Sequence, residues 1–86
     1  LYVGGDDGVF EVGRSGATLL DERPAYGLEV FSGELVGSNT TEFIFSVGGE
    51  QLASGNLGRP GAMSTLNGTL YVMDTVSGIV SAVELN

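Results

Sequence analysis

The sequence predicts an all-β protein built from repeated antiparallel units. The 86 residues include 15 glycines and are 42% apolar, and the apolar residues occur in short runs bounded by Gly, Asn, Asp and Ser. Runs of this kind, rich in Val, Leu, Phe, Tyr and Thr, are typical of β-strands. Helical spacing of apolar residues is not sustained over a helix length anywhere in the sequence. The runs also recur at a nearly constant spacing of about 35 residues.

The recurrence involves both the strand-like runs and the segments between them. Leu1-Tyr2-Val3 recurs as Leu70-Tyr71-Val72, with a shorter copy at Leu35-Val36. Arg23-Pro24 recurs as Arg59-Pro60, 36 residues later. The one-residue shifts fall in expected loops, where insertions are tolerated. We therefore predict one all-β region with repeat units at about 1–22, 23–58 and 59–86.

A complete unit is predicted to contain four strands joined by tight turns. In the second unit the strands are expected at 26–31, 34–38, 43–47 and 51–54. The first unit lacks the first of these strands and the third unit lacks the last, so we expect three, four and three strands in order. Asp7-Gly8 and Asn67-Gly68 predict hairpin turns, because glycine readily adopts positive φ.

A four-stranded antiparallel repeat of this length is typical of a β-propeller blade. The predicted fold class is therefore an all-β propeller of about two and a half blades, and the alternative is a β-sandwich or a small barrel. A propeller ring has roughly four to eight blades. We therefore expect the remaining blades to come from a longer chain or from other subunits.

The third unit has a series of short motifs: Arg59-Pro60-Gly61, Gly68-Thr69-Leu70-Tyr71-Val72, Asp74 and Gly78-Ile79-Val80. This series resembles the blades of NHL, YVTN and SMP-30/gluconolactonase propellers of the six-bladed type. Residues 1–10 resemble blades of sensor-type propellers. We expect a binding or structural interaction scaffold. The resemblance implies two alternatives, namely part of a gluconolactonase-like metal-dependent hydrolase or a sensor-type ligand-binding propeller.

The amino-acid inventory excludes common catalytic sites from this chain. It contains no Cys, no His and no Lys, so Ser-His-Asp triads, thiolate nucleophiles and Schiff-base lysines are absent. We expect no catalytic residue and no organic cofactor within these residues.

The charge balance bears on partners and location. Eleven acidic residues face three arginines, for a net charge of −8, which argues against binding to nucleic acid or to anionic membrane surfaces. No apolar run reaches the roughly 20 residues of a membrane helix, so membrane insertion is not expected. The excess of acid without lysine fits a protein of a high-salt organism or a secreted acidic protein, and we expect an extracellular or cell-surface location.

Acidic residues at the predicted turns are the candidate metal ligands. Asp6, Asp7 and Asp74 follow the Tyr-Val strands, where Asp commonly caps its own turn. The alternative is a divalent, calcium-type ion, which prefers clustered oxygen ligands. In gluconolactonase-like hydrolases the metal is held by Glu, Asn and Asp side chains from several blades, and the resemblance offers Asp74 as one such ligand.

Further candidates are polar residues in loops and aromatic residues on strands. Asn39 and Asn67 begin Asn-x-Thr sequons and are expected in exposed turns as acceptors for N-glycosylation. Arg23 and Arg59 are expected to pair with acids such as Asp21 and Glu22, with an anionic ligand as the alternative. Two equivalent residue pairs are expected to pack between blades, namely Tyr2 with Val3 and Tyr71 with Val72. The alternative is that they form an aromatic surface on which a ligand binds.

Overall fold

A computed structural model describes residues 1–55 and 59–83 and shows an all-β fold. The described residues form ten strands in three antiparallel sheets and contain no helix. In each sheet the strands lie in chain order, each hydrogen-bonded to the next along the chain. The all-β prediction is confirmed, and the three sheets do not close into a barrel.

Sheet A has three strands: β1 (Tyr2–Gly5), β2 (Gly8–Gly13) and β3 (Gly16–Asp21). Sheet B has four: β4 (Gly27–Phe31), β5 (Glu34–Asn39), β6 (Phe43–Ser46) and β7 (Gln51–Ala53). Sheet C has three: β8 (Pro60–Leu66), β9 (Thr69–Asp74) and β10 (Val80–Ala82). The strands of sheet B lie within two residues of the predicted positions.

The hairpins use the turn chemistry that the sequence indicates. Asn67 and Gly68, between β8 and β9, have φ of 52° and 78°, as a two-residue hairpin loop with two positive φ angles requires. Between β1 and β2 the loop residues are Asp6 and Asp7, because Gly5 pairs with Gly8. Gly8 has φ 123°, and a Cβ there would collide with the carbonyl oxygen of Asp21. Glycine at this position therefore serves both the turn and the close approach of β3.

The three sheets stack face on face, with sheet B in the middle. Between sheets A and B, Val9, Ala25 and Phe45 form a buried cluster, against which other apolar residues pack: Leu20, Leu28, Leu35 and Val47. Between sheets B and C the buried cluster is larger: Val36, Phe43, Ile44, Ala53, Leu70 and Val72. Sheet B therefore contributes one face to each cluster, since alternate residues of a strand point to opposite faces.

The first strands of sheets B and C approach very closely. Strand β4 contacts both β1 and β8. A Cβ at Gly27 would collide with the carbonyl oxygen of Gly61, which also accepts a hydrogen bond of 3.0 Å from the Oγ of buried Ser38. The absence of a side chain at Gly27 is therefore what lets β4 lie against β8.

Candidate functional site

Arg23 ties sheet A to sheet B. Its Nη2 donates to Asp21 Oδ2 at 2.6 Å, to the Ser46 carbonyl at 3.0 Å and to the Gly49 carbonyl at 2.7 Å. The guanidinium also lies 4.2 Å from the ring centroid of Phe45, within the range of a cation–π contact. The expected pairing of Arg23 with a neighbouring acid is confirmed, and its donors serve the fold.

Asp21 is the anionic partner in this connection. Its Oδ2 also accepts a hydrogen bond, of 2.7 Å, from the backbone N–H of Gly48. The hydrogen bonds from Arg23 and from this N–H outweigh partial burial and lower the pKa of Asp21 to about 2. The carboxylate is therefore held charged at any ordinary pH.

Asn39 lies in the interior at the end of β5. Its Oδ1 accepts hydrogen bonds from the backbone N–H groups of Thr41 (2.9 Å) and Glu42 (2.6 Å), and its Nδ2 donates to the Pro24 carbonyl at 2.7 Å. The side chain is 1% exposed. The structure thus differs from the expected exposed turn at this sequon, because both polar atoms of the amide are committed to the backbone. Asn67, by contrast, lies exposed in its hairpin loop.

Asp74 occupies the equivalent position at the end of β9, 35 residues after Asn39. Its Oδ1 accepts hydrogen bonds from the backbone N–H groups of Val76 (2.8 Å) and Arg59 (3.3 Å), and the residue is 6% exposed. Asp74 is therefore the hydrogen-bond acceptor that stabilises its own turn, which is one of the two roles expected for it from the sequence. Backbone N–H groups thus engage one carboxylate oxygen of Asp74, and its role as a metal ligand stays a prediction. No group of three Asp or Glu side chains suited to a metal ion occurs in 1–55 and 59–83.

The exposed ring of Tyr26 lies where the three sheets meet. A hydrogen bond with Asp6, in the β1–β2 turn, raises the pKa of the Tyr26 phenol, and partial desolvation adds to the effect. The Arg59 guanidinium also lies 5.9 Å from the Tyr26 ring centroid. Asp7 is exposed beside Asp6. Tyr26 therefore connects a turn of sheet A with the segment that leads into sheet C.

Tyr26 also lines two adjoining cavities, which together we call the junction groove. One, of about 310 Å³, is lined by Tyr2, Val3 and Gly4 of β1 and by residues 25–28. The other, of about 400 Å³, is lined by Tyr26, Arg59, Pro60, Gly61, Ala62 and Thr75. The Thr75 hydroxyl donates to the Arg59 carbonyl at 3.1 Å and so fixes the backbone beside the second cavity. The groove thus offers an aromatic face with one cation beside it.

The outward face of sheet A, which we call the A end face, is apolar. Its side chains are Val3, Phe10, Val12, Ala17 and Leu19, as cross-strand pairing shows: Val3 pairs with Phe10, Phe10 with Leu19, and Val12 with Ala17. The opposite face of the sheet carries Val9, which is fully buried against sheet B. Leu19 is 47% exposed.

The outward face of sheet C, the C end face, is similar. Its side chains are Ser64, Leu66, Thr69, Tyr71, Met73, Val80 and Ala82, on the side opposite buried Leu70 and Val72. A shallow cavity of about 210 Å³ lies on this face and is lined in part by Tyr71, Met73 and Val80. Met73 is 37% exposed.

The structure separates the strand residues that the sequence grouped together. Val72 is fully buried between sheets B and C, whereas Tyr71 is half-buried on the C end face. Val3 lies on the A end face and Tyr2 lines the junction groove, and both are about half exposed. Packing between sheets is therefore observed for Val72, and the other three residues line open surfaces.

Tyr26 was missed by sequence reasoning, which placed it as the first residue of a strand. Its one signal is its position just after the recurring Arg-Pro motif, a position that holds Ala62 in the third unit.

Within residues 1–55 and 59–83, no helix is long and apolar enough to cross a membrane. No family model, curated protein or solved structure matches this chain.

Proposed function

We propose that this chain is part of a β-propeller that acts as a binding and structural interaction scaffold. In this proposal the A and C end faces are covered by further sheets of the same kind, from a longer chain or from other subunits. The observation that carries it is that both end faces are apolar and lack charged side chains, although the protein has a net charge of −8. Exposed apolar patches of this kind mark interaction surfaces.

The stacking order supports propeller blades over a sandwich. A β-sandwich has two sheets and one core between them, whereas here sheet B is covered on both faces. The sheets follow one another in chain order, and their first strands lie side by side. Repetition of sheets around a common centre is how propellers protect sheet edges.

The same proposal includes an extracellular or cell-surface location, with neither nucleic acid nor membrane as a partner. The acidic surface supports this choice of partners. A gluconolactonase-like metal-dependent hydrolase is the alternative function for such a propeller, with Asp74 as the candidate metal ligand in this chain and the other ligands on further blades.

The experiment is a solution measurement on the 86-residue chain. We expect light scattering to show association, or the monomer to bind a hydrophobic dye, because the end faces are apolar. A monomer that melts cooperatively and binds no dye would overturn the scaffold proposal. The Leu19→Glu/Met73→Glu variant is the matched control, since it places one charge on each end face and should abolish either signal.

A sensor-type function is a second candidate, favoured by the junction groove. A flat ligand with a carboxylate would stack on Tyr26 and pair with Arg59. Benzoate is a suitable probe, read out through tyrosine fluorescence, since the protein has no tryptophan. Binding should disappear in Arg59→Gln and persist in Arg14→Gln, which removes the same charge from the exposed β2–β3 turn. Equal responses in both variants would dismiss the groove as a binding site.

A further inference from the structure

The two end faces correspond to opposite faces of the central sheet B. Sheet B packs on sheet A through the face that carries the pair Gly37–Phe45. The corresponding pair in sheet A, 34 and 35 residues earlier, is Val3–Phe10, and it lies on the A end face. The A end face is therefore equivalent to the face of sheet B that packs against the preceding sheet.

The C end face corresponds to the other face of sheet B. Sheet B receives sheet C on the face that carries the pair Ser38–Ile44. The corresponding pair in sheet C, 35 and 36 residues later, is Met73–Val80, and it lies on the C end face. The C end face is therefore equivalent to the face of sheet B that packs against the following sheet.

We infer that the C end face of one copy of this chain packs against the A end face of a second copy. This head-to-tail contact repeats the arrangement of the two sheet interfaces inside each chain, and it rests on the scaffold proposal above. The charged residue of β2 supports it, because Glu11 pairs with Tyr2 and Thr18 on the opposite side of sheet A from the A end face. A buried unpaired charge would oppose such a contact.

Two copies suffice to cover every end face. If each copy offers its C end face to the other, the dimer closes with two identical contacts and contains six sheets, within the roughly four to eight of known propeller rings. Closure also prevents the open-ended growth to which head-to-tail contacts are prone. Because each copy has a net charge of −8, salt that screens the mutual repulsion should strengthen the dimer.

The test uses one charge on either end face and sedimentation velocity of the full 86-residue chain. We expect a dimer for the unmodified chain, and dimerisation at least about a hundredfold weaker for Leu19→Glu and for Met73→Glu, since each buries unpaired charges. Val76→Glu is the control, because Val76 is 76% exposed in the β9–β10 turn and lies off both end faces. Circular dichroism of each variant establishes that it is folded.

Mixing the two variants tests the head-to-tail geometry. Met73→Glu retains an intact A end face and Leu19→Glu retains an intact C end face, so an equimolar mixture should form a dimer at concentrations where each variant alone is monomeric. A mixture that stays monomeric, or single variants that stay dimeric, would overturn the head-to-tail contact and leave the scaffold proposal standing. An unmodified monomer that binds hydrophobic dye would overturn the second copy as the occupant. A monomer that binds none would overturn both proposals.

Discussion

Removing the charge of Asp21 should destabilise the fold in a pH-dependent way. Asp21→Asn keeps the shape of the side chain but loses the ion pair with Arg23, which joins sheet A to sheet B. The folded state lowers the pKa of Asp21 from 3.8 to about 2. At about 1.4 kcal/mol per pKa unit, the shift corresponds to a loss of about 2 kcal/mol of unfolding free energy at pH 7.

The sign of the pH dependence follows from the lowered pKa. The stabilisation is fully present above pH 3.8, the ordinary value of the carboxyl, and disappears as the pH falls towards about 2. Urea denaturation of the protein and of Asp21→Asn should therefore give a difference of about 2 kcal/mol at pH 7, shrinking towards zero near pH 2. Glu22→Gln, at the adjacent exposed carboxyl, is the matched control. A difference between the protein and Asp21→Asn that is the same at both pH values would refute the assignment of the stabilisation to this ion pair.

Three further predictions concern single residues. Gly27→Ala should lower the unfolding free energy by about 1–3 kcal/mol, because its Cβ would collide with the backbone of β8. Gly13→Ala, with open space around the new methyl group, should have a melting temperature close to that of the unmodified protein. Equal melting temperatures for both variants would contradict the close approach of β4 and β8 as the cause. Asp74→Ala should lower the unfolding free energy by about 1 kcal/mol through loss of the turn acceptor, whereas Asp74→Asn should retain most of that stability. If Asp74 acts only in its turn, neither excess chelator nor added calcium should shift the melting temperature; a calcium-dependent rise would favour the metal interpretation. Asp6→Asn should lower the pKa of Tyr26, measured from tyrosinate absorbance against pH, because the carboxylate partner is what raises that pKa; an unchanged titration would remove Asp6 from the junction groove.

Short-range chemistry made the strands and turns predictable. The predicted strand 34–38 is β5 (Glu34–Asn39), and the Asn67-Gly68 turn has the backbone that these residues prefer. Such features depend on the residues themselves and on their neighbours along the chain, so the pattern contains the information.

The candidate sites were predicted less completely, because they depend on groups distant in sequence. Arg23 was expected to pair with a nearby acid. Its hydrogen bonds to the Ser46 and Gly49 carbonyls, however, span sequence separations of 23 and 26 residues. Asn39 was expected to be exposed because it begins a sequon. Its amide instead donates a hydrogen bond to the Pro24 carbonyl, which lies in the segment before β4. Tyr26 contacts Asp6 and Arg59, which are 20 and 33 residues away in the sequence, so its local sequence does not reveal these contacts.

The sequence by itself determined that the chain is all-β, where the four strands of sheet B lie to within two residues, and that Asn67-Gly68 forms a hairpin turn. Only the tertiary structure decided which apolar residues are buried and which remain open to a partner. Val9 and Phe10 illustrate the reason, since both are apolar neighbours on β2, yet Val9 is buried against sheet B and Phe10 lies on the A end face. Where both faces of a strand are apolar, alternation along the sequence does not distinguish them, and the packing of neighbouring sheets makes the choice.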